Sequence, residues 1–188
     1  MNYSSRRISN GFTLIELIIT LALAGIIITI IYSFFFSSIT MFHRNDKDIE
    51  LQQQGQFIIG FLEEKIIESC GITYLQDMNG HVKNETNEVI NLKKIIFKNI
   101  PGASDKGFVF QLSKEPNFNT YSLKYGVGLS GTPTIEAGNY IEKIQVRPIP
   151  SDKIYIEAKG LDLKIFFYFD GQKKSFETQF FFRNRPGR

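Results

Sequence analysis

The sequence predicts an α+β chain in which one long N-terminal α-helix packs on an antiparallel β-sheet head. Three observations predict it. The residues from Leu17 to Phe36 carry no charge; a helical spacing of apolar residues continues beyond them to about Ser69; and after Gly71 short runs rich in β-branched and aromatic residues alternate with Gly, Asn and Pro. At 188 residues the chain accommodates one membrane-length segment and about one ordinary domain. The expected bounds are 12–70 for the helix, with a transmembrane portion at about 14–36, and 71–188 for the head.

The apolar run comes first. At about 1.5 Å per residue it spans the ~30 Å hydrocarbon core of a bilayer. Its hydroxyls, Thr20, Thr29 and Ser33, can bond to preceding backbone carbonyls, so they sit in lipid without an orphaned donor. Arg6 and Arg7 on the short N-terminal side predict a cytoplasmic N-terminus and a head outside, with His43-Arg44 weakening the bias slightly. A secretory signal peptide fits poorly, because the run exceeds the usual length and no small-x-small site follows in Ser37-Ser38-Ile39-Thr40-Met41-Phe42. An uncleaved anchor explains the run but not Glu16, a carboxylate at its margin that costs several kcal/mol unless something answers it.

Past the membrane the helix turns amphipathic. Ile49, Leu51, Phe57, Ile58, Phe61, Leu62, Ile66 and Ile67 recur at three- and four-residue spacings among charged and amide residues, the pattern of a helix packed on its own sheet. Gly55 and Gly60 weaken a straight helix or admit close backbone packing. Gly71 is the expected stop.

Strands are expected at 73–75, 94–97, 107–112, 121–125, 140–146 and 153–158. The clearest hairpin joins 161–169 to 175–182 through Asp170-Gly171-Gln172-Lys173, with Leu161, Leu163, Ile165, Phe167 and Phe169 on one face and Phe176, Thr178, Phe180 and Phe182 on its partner's. Residues 76–92 and 113–120 read as exposed loops.

Little in the chain points to catalysis, and neither a cofactor nor a metal is called for. His43 and His81 lie in different regions without ligand spacing. Gly126-Val127-Gly128-Leu129-Ser130-Gly131 reads as a turn rather than a phosphate loop. Asp170-Gly171 is a turn signal before it is a calcium ligand, Asn84-Glu85-Thr86 is a chance-level glycosylation triplet, and Cys70 is a lone, small residue near a helix end. The net charge is +3, but without Arg6 and Arg7 it falls to 20 bases against 19 acids, which is no general nucleic-acid footprint. A local basic region remains at Lys173, Lys174, Arg183, Arg185 and Arg188.

The start of the chain carries more information. Gly11-Phe12-Thr13-Leu14-Ile15-Glu16, behind a short basic leader and ahead of the apolar run, resembles the signature of the type IV prepilin and pseudopilin family. The resemblance implies a leader, residues 1–11, removed by a prepilin peptidase that cuts between Gly11 and Phe12, and N-methylation of the new Phe12 amine. It implies that Glu16 pairs with the N-terminal amine of a neighbouring subunit, against the simpler role of complementing the helix dipole. Implied partners are the peptidase, other pilin or pseudopilin subunits, an inner-membrane assembly platform, and membrane lipid before assembly. The chain is expected in the cell membrane as a single-pass protein, and after assembly in a cell-surface or periplasm-spanning filament. Many major pilins have proline where this chain has Ser33, which favours a minor pilin or pseudopilin; the long helix, strand-rich head and final Phe-rich strand resemble the J-type secretion and F-type competence pseudopilins. Two other readings are an adhesive or DNA-uptake pilin that binds ligand through the basic C-terminal region, and an unprocessed single-span binding protein.

Overall fold

The structure is a computed structural model, and the residues it describes are 12–99, 106–116, 118–129 and 132–183. The chain divides into two compact units, Met1–Asn45 and Asp46–Arg188. A single helix, α1 (Leu14–Ile67, 54 residues), contributes to both.

In the first unit every described residue, Phe12 to Asn45, is exposed. The helix there is long and apolar enough to cross a membrane. Three threonine hydroxyls bond inward, Thr20 to the Glu16 carbonyl at 2.9 Å, Thr29 to that of Gly25 at 2.8 Å and Thr40 to that of Phe36 at 3.0 Å, whereas the Ser33 hydroxyl, expected to do the same, shows no such bond. These three hydroxyl protons need no water.

The second unit contains the rest of α1 and a seven-stranded antiparallel sheet. Its strands are β1 (Gly71–Asp77), β2 (Ile90–Lys98), β3 (Gly107–Lys114), β4 (Tyr121–Val127), β5 (Ile135–Ile149), β6 (Gly160–Phe169) and β7 (Gln172–Phe181), arranged in sequence order. The buried stripe of α1 is Leu51, Gly55, Ile58, Leu62 and Ile66. Ile49 and Phe57, expected on that stripe, are 52% and 63% exposed. Ile49 precedes Leu51 by two residues and so points about 200° away from it around the helix. Helix and sheet approach closely at glycines on both sides. A Cβ on Gly55 would lie 2.2 Å from the Phe176 ring, and one on Gly138 would lie 2.4 Å from Ile58. Further along, Phe61 meets Phe110 and Tyr125 edge-on at 6.0 and 5.3 Å, joining an aromatic cluster with Phe97, Phe108 and Phe182.

The helix ends short of the expected 70. Ser69 donates both its N–H (3.0 Å) and its hydroxyl (2.7 Å) to the Ile66 carbonyl, and the Cys70 N–H then donates to Lys98. Ser69 therefore stops α1, and Gly71, at φ 152°, opens the first strand.

The sheet turns a corner within β5. Its first half pairs with β4 (Ile135 opposite Tyr125) and its second with β6 (Ile149 opposite Gly160). At the change Tyr140 adopts φ 62°, costly for a bulky residue. Its ring is held against Phe169 at 4.3 Å. Burial, then the hydrogen-bonded Glu50 carboxylate on α1, push the Tyr140 hydroxyl above its ordinary range. The bend also lets β5 meet the start of β2, with Ile90 opposite Val146.

Three expectations need correction. Residues 153–158 form no strand; the segment is a turn and a short 3-10 helix, Tyr155–Glu157. Its apparent alternation comes from Tyr155, wholly buried, whose hydroxyl donates to the Val146 carbonyl at 2.7 Å with that of Glu88 2.9 Å away. The expected loops 76–92 and 113–120 lose their ends to β1, β2 and β3, and Thr120 is buried. The final hairpin has a two-residue loop, Asp170-Gly171 (φ 43° and 85°), the left-handed pair that suits strand twist, so Gln172 and Lys173 belong to β7. The predicted faces hold, with Leu161, Leu163, Ile165, Phe167, Phe180 and Phe182 all buried. The hairpin tip is tied to α1 by a Lys47–Asp170 ion pair and by Lys174 Nζ on Gln52 at 3.3 Å.

After β1, Asp77 organises the turn to His81. Its Oδ1 accepts the N–H groups of Asn79 (2.9 Å) and His81 (2.8 Å), and the His81 ring nitrogen lies 3.5 Å from Oδ2. Burial pushes this carboxyl up, but the two backbone donors and the His81 ring outweigh it and hold it below the usual carboxylate range.

Two predictions follow from these contacts. Gly55→Ala forces the added carbon into the Phe176 ring and should destabilise the head by about 1–3 kcal/mol, with Phe176→Leu restoring part of the loss in thermal melts. Because the folded pKa of Asp77 is depressed, its stabilisation is fully present above the unfolded value of about 3.9 and lost as pH falls through the folded value. Asp77→Asn should therefore flatten the acid side of a stability–pH profile while lowering stability at neutral pH.

Candidate functional site

The candidate site is the N-terminus of α1. Thr13 is the N-cap, Leu14 the first helical residue and Glu16 the third, which is the spacing of a capping box. The Glu16 Oε2 accepts the Thr13 backbone N–H at 2.9 Å and the Thr13 hydroxyl at 2.8 Å, and the Glu16 N–H points back at Thr13 Oγ1 at 3.4 Å. A helix start leaves donors that water cannot satisfy in lipid, and this box answers two of them within the chain. Among the described residues Glu16 Oε1 receives no hydrogen bond, and both Phe12 and Glu16 are exposed. One carboxylate oxygen thus fixes the helix start while the other faces outward, able to accept a donor or cation from elsewhere.

Sequence reasoning found Glu16 and weighed dipole complementation as its simple role, but it missed Thr13. The signal was present, since a threonine three residues before a glutamate at the edge of an apolar run is the sequence signature of this cap. Gly11, Arg6 and Arg7 lie outside the described residues, as do Arg185 and Arg188.

Elsewhere, the residues singled out are absorbed by the fold. Lys173 Nζ lies 3.3 Å from Glu142, and the neighbouring Lys164 lies 3.1 Å from Glu177. Lys174 rests on the neutral Gln52 side chain, and Arg183, exposed, donates its backbone N–H to the Ile67 carbonyl at 3.1 Å. Asn84 uses its side-chain amide on β1, accepting from Leu75 N–H at 2.7 Å and donating to the Thr73 carbonyl at 3.3 Å. Gly126 lies in β4 against Val109 and Pro133, and Gly128 N–H donates to Gly107 at 2.8 Å, so the start of this glycine-rich stretch extends a strand ladder, while Ser130 and Gly131 lie outside the described residues. The Cys70 thiol sits 3.0 Å from the Lys98 carbonyl. His43 packs beside Phe42, and His81 belongs to the Asp77 turn.

Removing the cap should loosen the first turn selectively. Thr13→Ala is expected to cost about 0.5–2 kcal/mol of local helix stability, and Thr13→Ser much less, read as faster amide exchange at residues 14–17 in detergent micelles with the head unchanged.

Comparison with known proteins supports this focus on the N-terminus. Residues 6–32 match the family model described as the prokaryotic N-terminal methylation motif. Neither the curated proteins nor the solved structures give a match. The chain carries a type IV prepilin-like N-terminal methylation motif, followed by a long apolar helix and an antiparallel sheet in a pilin-like architecture.

Proposed function

We propose that this chain is a minor pilin or pseudopilin, a structural subunit processed by a prepilin peptidase and assembled with sister subunits into a type IV pilus or a secretion-type filament, in initiation or at the tip. The observation that carries the reading is the pairing of the methylation motif with an uncovered apolar helix whose entrance holds a half-satisfied carboxylate. Before assembly, lipid covers the helix and Thr13 satisfies part of Glu16. Cleavage after Gly11 creates a new amine on Phe12, four residues before Glu16. In a bundle of apolar helices that ammonium and a neighbour's Glu16 both lack water, so their attraction is far stronger than in solvent. Losing one member of such a pair strands the other charge, at about 3–5 kcal/mol. This selects one axial register over others that bury the same apolar area.

The head supports a structural role. Its interior is filled by aromatic and aliphatic side chains, and at the last hairpin Lys164 and Lys173 are paired with Glu177 and Glu142. The unbroken helix through Ser33 fits the minor-subunit reading, and the strand-rich head resembles the J-type and F-type pseudopilins.

Replacing Gly11 should block processing, seen by intact mass as a retained leader. Glu16→Ala should leave cleavage and N-methylation of Phe12 intact yet sharply reduce incorporation into filaments; normal incorporation would remove the pairing role. A mature chain that still starts at Met1 would remove the pilin reading altogether.

A further inference from the structure

At the end of β1 the fold leaves a chemically reactive pair, Asn79-Gly80, at the surface. Among the described residues the Asn79 side-chain amide makes no hydrogen bond. A bond between Asn79 Cγ and the Gly80 nitrogen closes a five-membered ring, and glycine has no side chain to crowd the attack.

The turn around this pair opposes that closure. Asp77 to His81 form a three-residue hairpin loop in which Asn79 keeps a negative φ and Gly80 takes φ 89°, a type I turn followed by a left-handed glycine. The Gly80 N–H donates to the Asp77 carbonyl at 3.1 Å, and Asp77 Oδ1 accepts the Asn79 and His81 N–H groups at 2.9 and 2.8 Å. Gln76 Nε2 donates to the Gly80 carbonyl at 2.9 Å. In the third position of such a turn ψ is about 0°, so the Gly80 nitrogen eclipses the nitrogen of Asn79. Ring closure needs it to eclipse Cβ instead, a rotation of about 120° around the Asn79 Cα–C bond. That rotation breaks the Gly80–Asp77 bond and displaces the groups that Asp77 Oδ1 and Gln76 hold.

We propose that Asn79 is a site of spontaneous deamidation, which the Asp77 turn suppresses for as long as the turn is closed. In the open turn, solvent base takes the Gly80 amide proton and the nitrogen attacks Asn79 Cγ. The Cγ–Nδ2 bond breaks, Nδ2 takes a proton from solvent and leaves as ammonia, and a succinimide remains. Water adds to either succinimide carbonyl and opens the ring to aspartate or isoaspartate. Both products oppose reclosure. Each puts a second carboxylate beside that of Asp77, and isoaspartate adds a methylene to the main chain between the amides that Oδ1 holds. The segment released is the one that covers the β1 edge. There Val82 bridges to Gln76, Lys83 N–H donates to the Leu75 carbonyl at 2.9 Å, and the Asn84 side chain spans Leu75 and Thr73. Deamidation is thus a one-way opening of that cover, with Asp77 as the positioning residue that delays it.

The test follows residue 79 by peptide mapping of the full-length chain in non-ionic detergent micelles at mildly alkaline pH, beside the same chain with its head unfolded in guanidinium chloride. Aspartate and isoaspartate both appear as a gain of about 1 Da and separate by chromatographic retention. The folded head should convert more slowly, by on the order of tenfold or more, because it reacts only through local opening. Asp77→Ala should speed conversion in the folded head and leave the denatured rate unchanged. Asp77→Asn, which keeps an oxygen to accept the two amides, should stay nearer the parent rate. Gln76→Ala frees only the Gly80 carbonyl; it should also accelerate conversion, and it decides the matter if Asp77→Ala fails to fold. In the converted chain the Lys83 amide should exchange faster with solvent. Equal folded and denatured rates, no conversion at residue 79 in denaturant, folded variants at Asp77 or Gln76 that convert no faster with alanine, or a Lys83 amide still protected after conversion would each overturn the proposal. None of these outcomes depends on leader cleavage or assembly.

Discussion

The close approach of α1 to the sheet at Gly55 and Gly138 sets the terms for the rest of the head. A side chain at either position would collide with Phe176 or Ile58, so the stripe from Leu51 to Ile66 reaches the sheet only because two backbones lack a Cβ at the right places. That contact fixes where β5 and β7 must lie relative to residues 46–67 of the helix. Apolar burial along the stripe supplies the nonspecific driving force. The two glycines supply the position.

Such closeness demands that β5 serve two neighbours in succession. The strand can pair with β4 and then with β6 only by changing direction, and the change is concentrated at Tyr140. A left-handed tyrosine persists because its surroundings over-determine it: Phe169 on its ring and Glu50 on its hydroxyl. The bend in turn brings Val146 beside β2 and leaves room for Tyr155 to fill the space between them. One strained residue thus links the helix, the last hairpin and the closure of the sheet.

Much of this was legible in the sequence where local chemistry and tertiary need agree. The membrane run, the switch from helical to alternating period and the faces of the last hairpin were readable because each reflects one dominant solvent contrast. Ile49 and Phe57 misled because hydrophobicity alone does not say which side of a helix the sheet will cover. The segment 153–158 misled because Tyr155 and the isoleucines around it mimic a strand, while the carbonyls that meet the Tyr155 hydroxyl come from Val146 on β5 and from Glu88, which is 67 residues away. At the candidate site Glu16 was conspicuous as a charge beside lipid. Thr13 was overlooked because threonine is unremarkable until its distance to a glutamate is counted.

The attachment of the sheet to α1 has a mechanical consequence. Lys47–Asp170, Gln52–Lys174, Gly55–Phe176, Ile58–Gly138 and Phe61–Phe110 are spaced along successive turns of one rod. A pull transmitted along that rod is borne by these points in parallel, as a row of rivets shares the load on a seam. No single contact must yield before the next is engaged, and the hairpin tip at Asp170 takes the first share.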